Sequence, residues 1–408
     1  MAVLRYGIRS SVQLDFADGA LSGEYGTPPM PPLDDPLAAV TAALEAPLDF
    51  PPLGRITTPS DHVTLALDHG VPQAAQITAA VIHALVQTGI DPDGISVLRT
   101  RADVEAGAED PCRLLPEEWR DRVTRVIHDP SERREMAYLA ASEEGEPIFL
   151  NRLLTDADVV LPIGCLHHDA TSDYYGIHGS IYPAFSDQKT LVRFHAETSR
   201  NGTKESHHRR LAAEADHVAW LLGISFTIQV VPAGGSAILH VLVGQSETVR
   251  RQAQQLYRAA WSWQAPQQAS LVVAAIEGDA AEQTWENVGR ALETAAALVE
   301  EGGAIALCTD LAARPGPAMR QMAKARSREA VVRRICKAPP RDALPAVRLA
   351  QTLEHHSVYL LSQLDPAAVE ELDMIPIRGA DELVRLAHRH PSCIVLANAP
   401  RAAVTVGG

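Results

Sequence analysis

A chain of 408 residues is longer than one compact core ordinarily fills, so two domains are expected. Its 46% hydrophobic and 21% charged residues are ordinary for a globular protein in water. The net charge of -15 leaves no basic surplus to neutralise phosphates, which argues against a nucleic-acid or anionic-membrane partner. Cys112, Cys165, Cys308, Cys336 and Cys393 are odd in number, far apart and without a Cys-x-x-Cys pair. They read as buried small hydrophobes rather than as disulfides or a zinc knuckle. The N-terminus carries charge early and lacks the apolar core of a signal peptide, and no apolar run reaches the ~18–20 residues that span a bilayer. A cytoplasmic protein is expected.

In chain order, Asp35 caps a helix with Pro36 at its first position and Leu37, Val40 and Leu44 at helical spacing. The run 63–67 reads as a strand ending in Asp68-His69-Gly70-Val71-Pro72. A helix follows to Thr88, stopped by Gly89, and then a strand at 95–98. Strand, turn, helix and strand at this pitch make a βαβ unit. The pattern recurs at 157–161, which runs into a loop from Pro162 to Tyr175. A helix is predicted over 206–222, strands over 225–231 and 237–243, and a helix over 246–263. Gln264-Ala-Pro-Gln-Gln268 is polar and broken by proline, so it reads as a linker. Beyond it come a strand at 270–276, a helix at 281–301, a strand at 304–308 and a helical region around 315–355. A strand at 357–361, a short run at 374–377, a helix at 380–390 and a strand at 392–396 complete the pattern. The expectation is two α/β domains with mainly parallel sheets, residues 1–265 and 269–408, and a site cleft between them.

In open α/β sheets, ligands bind beyond the carboxyl ends of strands. The stretch from Gly164 through His167, His168 and Asp169 to Tyr174, Tyr175, Gly176, His178, Gly179, Ser180 and His195 follows a strand and gathers four histidines, with Asp169, Tyr174 and Tyr175 among them. Such a set serves proton transfer or metal binding, or it is a polar surface loop. Gly176 to Ser180 adds backbone able to approach a phosphate closely. His207-His208 and His355-His356 read as an exposed face and a solvated helix end. No Ser-His-Asp order, P-loop, Gly-x-Ser-x-Gly or His-Glu-x-x-His run is present.

Several segments carry a family likeness. The helix Asp35-Pro36-Leu-Ala-Ala-Val-Thr-Ala-Ala-Leu44-Glu-Ala-Pro47, with its lead-in from Leu21, resembles the start of the nickel-dependent lactate racemases. His128-Asp129, Gly145 to Arg152, Ala157 to Gly164 and Ala291 to Gly303 are also similar, in the same order. The resemblance implies inversion of an α-hydroxyacid carbon by hydride transfer to a nickel pincer nucleotide that is thioamide-linked to a lysine. One histidine would ligate nickel and two others would act as acid and base.

Position by position, the likeness is uneven. The family's Gly-Gly-Arg-Lys-Ser-Ile-x-Pro falls on Gly176-Ile-His178-Gly179-Ser180-Ile-Tyr-Pro183, so the anchoring lysine is Gly179 and its neighbour His178. The nickel ligand falls on His195. One catalytic histidine becomes Asp169, with His168 beside it, and the other falls near Arg99-Thr100-Arg101-Ala102. The cofactor loop keeps Asp68 without its arginine, and the family's glutamine and lysine on the second-domain helix fall on Asn287 and Arg290.

The likeness therefore implies an isomerase, racemase or epimerase, of a small hydroxyacid. Its nickel pincer nucleotide would be held noncovalently by Asp68, Gly176, Gly179, Ser180, Asn287 and Arg290, with His195 on the metal. Asp169, His168, His178 and Arg101 would do the chemistry. A paralogue that binds a nucleotide or small acid without turnover is the alternative, and an enzyme using Asp169 and nearby histidines without nickel is a third.

Overall fold

The strand Val63–Leu67 is buried along its whole length because it lies between two parallel neighbours and is covered on both faces, which explains its unbroken apolar sequence. In the computed structural model, residues 1–142, 145–168, 174–197, 204–323, 335, 340 and 342–407 are described, with backbone alone for 195–197, 204–207 and 323. Among these residues the first sheet has six strands, in the order Ile238–Gln245, Phe226–Pro232, Val159–Cys165, Val63–Leu67, Ile95–Thr100 and Thr124–His128. All its pairings are parallel except that of Ile238–Gln245 with Phe226–Pro232. The second sheet also has six strands, all parallel: Ile375–Ile377, Ser357–Leu361, Val299–Cys308, Ala269–Ala275, Cys393–Leu396 and Leu21–Tyr25. The α/β class with mainly parallel sheets is thus the one expected. The second sheet draws its last strand from the start of the chain, and the hairpin Ala2–Tyr6 and Ser10–Leu14 packs into the same core.

Local signals explain most element ends. Asp35 Oδ1 accepts from Ala38 N at 3.0 Å and opens Pro36–Glu45, as read from the sequence. The helix Ala74–Gln87 closes at Thr88, and Gly89 follows with φ +98°.

Four expectations are corrected. The helix expected over 281–301 is a short 3-10 turn, Ala280–Glu282, followed by Trp285–Ala296 capped by Thr284. Residues 299–303 belong instead to the strand Val299–Cys308, where an irregularity between Ala269 and Leu271 accommodates them against the neighbouring strand. Strand pairing thereby overrides the helix propensity of Glu300 and Glu301. Pro162 does not start a loop: Val159–Cys165 continues through it, with Pro162 opposite Ala66. The helix expected to 263 stops at Trp261, because Ser262–Ala265 pairs with Ala403–Val406. Of the helical region around 315–355, Pro317–Ala323 and Ala343–His355 are helices, and most of 324–341 lies outside the described residues.

The carboxyl ends of the two sheets meet. Gly235 N, beyond Phe226–Pro232, donates to Asn398 Oδ1 at 2.9 Å, beyond Cys393–Leu396. Asp279 N, beyond Ala269–Ala275, donates to Ser236 Oγ at 2.9 Å. Arg401, 7% exposed, donates to the carbonyls of Ala233 and Gly235 and, at 2.7 Å, to Glu282 Oε1. A buried arginine with its carboxylate and two carbonyls costs several kcal/mol to break, since removing one partner strands the other. Arg401→Met is expected to lose on the order of 3 kcal/mol in urea unfolding. Part of that should return in the Arg401→Met/Glu282→Gln double variant. A loss below about 1 kcal/mol would show that the clamp does not support the fold.

Candidate active site

The first sheet delivers Asp68 and His69 at the carboxyl end of Val63–Leu67. Asp68 N donates to Ile163 O at 3.0 Å, which fixes the residue to the adjoining strand. Its Oδ1 accepts from His69 N at 2.9 Å and lies 3.4 Å from His69 Nδ1. Gly70, at φ +67°, turns the loop, and its N–H reaches Asp103 Oδ1 at 3.3 Å. Asp103 is paired with Arg99 at 2.9 Å, both side chains being 10% exposed. The sequence placed His69 in a strand-end loop suited to a ligand without giving it a role. Its signal was its place, directly after the carboxylate at a strand end.

From the second sheet's side comes the helix Trp285–Ala296. Asn287 Nδ2 donates to Glu282 O at 2.9 Å and Oε2 at 3.0 Å, and Asn287 Oδ1 accepts from Arg290 Nη1 at 3.1 Å. Glu282 also holds Arg401, so Arg290, Asn287, Glu282 and Arg401 form one buried polar chain. The charge of Arg290 acts on His69 and on Cys165, whose thiol also feels Asp68 and Glu282. The structure therefore brings Asp68, Asn287 and Arg290 into one electrostatic neighbourhood.

Desolvation by the surrounding groups works against a charged His69, whose side chain is 43% exposed, yet the hydrogen bond and charge of Asp68, aided by Asp103, outweigh it and raise its pKa above the usual 6.5. Burial pushes the Cys165 thiol up to about 12, so it is no nucleophile. The other described cysteines, Cys112, Cys308 and Cys393, are free and buried too.

The remaining sequence candidates are on other elements and loops or outside the described residues. Arg101 pairs with Asp129, whose other oxygen accepts from Ser131 N and Oγ at 2.9 and 2.6 Å. His168 is half-buried, and His167 lies 5.8 Å from the Tyr174 ring. His178, on the turn Ile177–Ser180, has Nδ1 2.7 Å from Asp216 Oδ1. The Ser180 hydroxyl donates to Ile177 O at 2.7 Å. Gly176 has φ +79°, and a Cβ there would meet nothing within 4 Å. A Cβ on Gly179 would meet only Tyr175 Cβ, at an ordinary 3.5 Å. Asp169 and the His195 side chain lie outside the described residues. Among the described residues no group of three His, Cys, Asp or Glu could hold a metal ion, and no helix is long and apolar enough to cross a membrane. His208, expected on an exposed face, is instead half-buried, its ring stacked on Tyr175 at 5.6 Å. His207 lies outside the described side chains.

Residues 6–207 match the lactate racemase N-terminal domain family. That stretch is therefore a lactate racemase N-terminal domain by family. Its fold is similar to that of the lactate racemase apoprotein from Thermoanaerobacterium thermosaccharolyticum, with a TM-score of 0.79 at 16% identity over 99% of this chain and 100% of that one. A structural-genomics protein from Thermotoga maritima is similar at a TM-score of 0.65 and 13% identity, over 93% and 100% of the two chains. No curated protein sequence matches.

Asp68→Asn should drop the His69 pKa below 6.5, because desolvation and Arg290 then oppose the imidazolium with only Asp103 in favour. NMR titration of the imidazole reads this directly, and an unchanged value would refute the pairing. The linked stability follows in sign. With the folded pKa raised, the His69 imidazolium stabilises the fold fully below its unfolded pKa, and the contribution is lost as pH rises through the folded value.

Proposed function

We propose that this protein is an isomerase of the lactate racemase-like family that takes a small α-hydroxyacid between the carboxyl ends of the two sheets. The observation that carries this reading is Asp68–His69 at the end of one sheet, under the charge of the buried Arg290 from the other. A guanidinium is suited to a carboxylate, and a carboxylate-held imidazole to a hydroxyl hydrogen. In this reading Arg290, with Asn287 fixing its orientation, receives the acid group. Asp68 and His69 bind the hydroxyl side, and proton transfer also draws on His178, His168, Asp169 and Arg101.

The family's cofactor, a nickel pincer nucleotide joined to lysine, does not fit this chain in its covalent form. Gly179 carries no amine, although the space beside it would admit a side chain. Noncovalent retention of the nucleotide against Asp68, Gly176, Gly179 and Ser180, with His195 as the nickel ligand, is the form the proposal takes. The missing amine also favours a second reading, a paralogue that binds a nucleotide or small acid without turnover.

Two measurements separate these readings. Protein purified from a host that makes the cofactor is assayed for nickel and for interconversion of the enantiomers of lactate, malate and glycerate. Turnover of at least one acid is expected, with KM raised on the order of 100-fold by Arg290→Leu. Saturable binding without nickel or interconversion would replace the isomerase with the binding paralogue. Gly179→Lys should fold with unchanged thermal stability, since its Cβ meets only an ordinary contact. In that host it should gain a cofactor adduct by intact mass, and absence of the adduct would count against a pincer-nucleotide seat here.

A further inference from the structure

The outer strand of the second sheet, Ile375–Ile377, has a neighbour on one side only among the described residues. Ile375 stands opposite Tyr359, and Ile377 opposite Leu361. Side chains alternate along a strand, so Ile375 and Ile377 share one face, on which the helix Ala380–Arg389 packs. That helix sends Leu383, Leu386 and Ala387 into the core and leaves Arg385 and Arg389 exposed. Between helix and strand lies a cavity of about 110 Å³, lined by Tyr359, Ile375, Ile377 and both arginines. Ile375 is 43% exposed there, a large apolar side chain that the helix leaves uncovered.

Arg385 and Arg389 are four residues apart, one helical turn, so their side chains are neighbours on the helix surface. Neither guanidinium has a hydrogen bond or ion pair among the described residues. Glu382, the acid in the lining, is engaged, since its Oε2 accepts from Arg378 N at 2.8 Å. Two arginines against one glutamate leave the lining at a net charge of +1. In a chain with 51 acidic and 36 basic residues, cations left without a carboxylate beside an apolar hollow suit an anion from outside.

The occupant follows from size and from the strand. An apolar cavity of about 150 Å³ takes up benzene, so this smaller one, opening beside exposed arginines, admits a compact apolar body with its charged end outside. A peptide strand is the competing occupant of an open sheet edge. Here the edge strand is three residues long, and its middle residue, Pro376, has no N–H to offer a ladder.

We propose that this cavity binds a small carboxylate with a compact apolar body. Arg385 and Arg389 hold the carboxylate, and Tyr359, Ile375 and Ile377 cover the body. The site shares no residue with the Asp68–His69 neighbourhood and stands independently of the α-hydroxyacid reading.

The test uses full-length protein with 13C-labelled isoleucine δ1 methyl groups, Ile375 and Ile377 being assigned through Ile375→Val and Ile377→Val. It is titrated with benzoate, with benzamide and with inorganic phosphate. Benzoate should move both methyl resonances saturably, with a Kd on the order of 1 mM. Benzamide has the shape without the charge and phosphate the charge without the body, so each should bind on the order of 10-fold more weakly. Arg385→Gln and Arg389→Gln should each weaken benzoate about 5- to 10-fold. Both side chains are exposed and unbonded, so the variants should melt with wild type. Arg290→Leu should leave the methyl shifts unaltered. Benzamide binding as tightly as benzoate overturns the carboxylate, and phosphate binding as tightly overturns the apolar body. Methyls unmoved at tens of millimolar benzoate, or shifts indifferent to both arginine variants, overturn the site. Loss of the shifts in Arg290→Leu would place benzoate in the cleft and overturn the site as well.

Discussion

The architecture depends on one buried guanidinium. Arg401 joins the turn beyond Phe226–Pro232 to Glu282, and through Glu282 to Asn287 and Arg290. A charge removed from water is tolerated only when its donors find acceptors, so this arginine fixes the two sheet ends in one relative position. Asn398 reinforces the junction from both sides, receiving Gly235 N on Oδ1 and donating from Nδ2 to Gly26 O at 3.1 Å. The same polar chain that joins the sheets also orients Arg290, so the position of this buried charge is set by an interaction whose first role is structural.

That arrangement gives the site an uneven electrical character. Asp68 and Asp103 favour a proton on His69, while Arg290 opposes it. A ring held between these influences changes protonation with modest changes in its surroundings, which suits a group that both gives and takes protons. The thiol of Cys165, close enough to feel the same charges, is kept neutral by burial and takes no part. Compared with the family pattern, the chain lacks an amine at Gly179 and carries imidazole at His178.

Much of the fold was legible because apolar runs in a doubly covered parallel sheet are nearly unbroken and end at turn formers. The run 63–67 and the capped helix from Pro36 are of this kind. Legibility failed where pairing overrode local propensity. Glu300 and Glu301 look helical but sit in a strand, Pro162 looks like a breaker but lies between two paired strands, and Ser262–Ala265 becomes a strand only because Ala403–Val406 lies beside it. Family likeness pointed to Asp68, Asn287 and Arg290; in the structure the charges of Asp68 and Arg290 both act on the Cys165 thiol, and Asn287 holds Arg290. The sequence had no means of finding the Asp216 partner of His178, 38 residues away, or of weighing His69, whose character comes from charges on other elements.

Among the described residues the strand Leu21–Tyr25 pairs with Cys393–Leu396 alone and lies on the outer edge of the second sheet. On a ribosome its partner emerges some 370 residues later, since Ile394 stands opposite Gly23. Until that partner emerges this short strand has an open hydrogen-bonding edge, and the sheet it completes is still unmade. Contacts of such sequence separation are slow to form, because a long loop must close before they contribute. The first sheet has all its strands by residue 245 and can assemble while the second is still being made. The order of assembly is thus written into the topology: the half that carries Asp68 and His178 comes first, and the half that brings Arg290 is completed by the pairing of Leu21–Tyr25 with Cys393–Leu396.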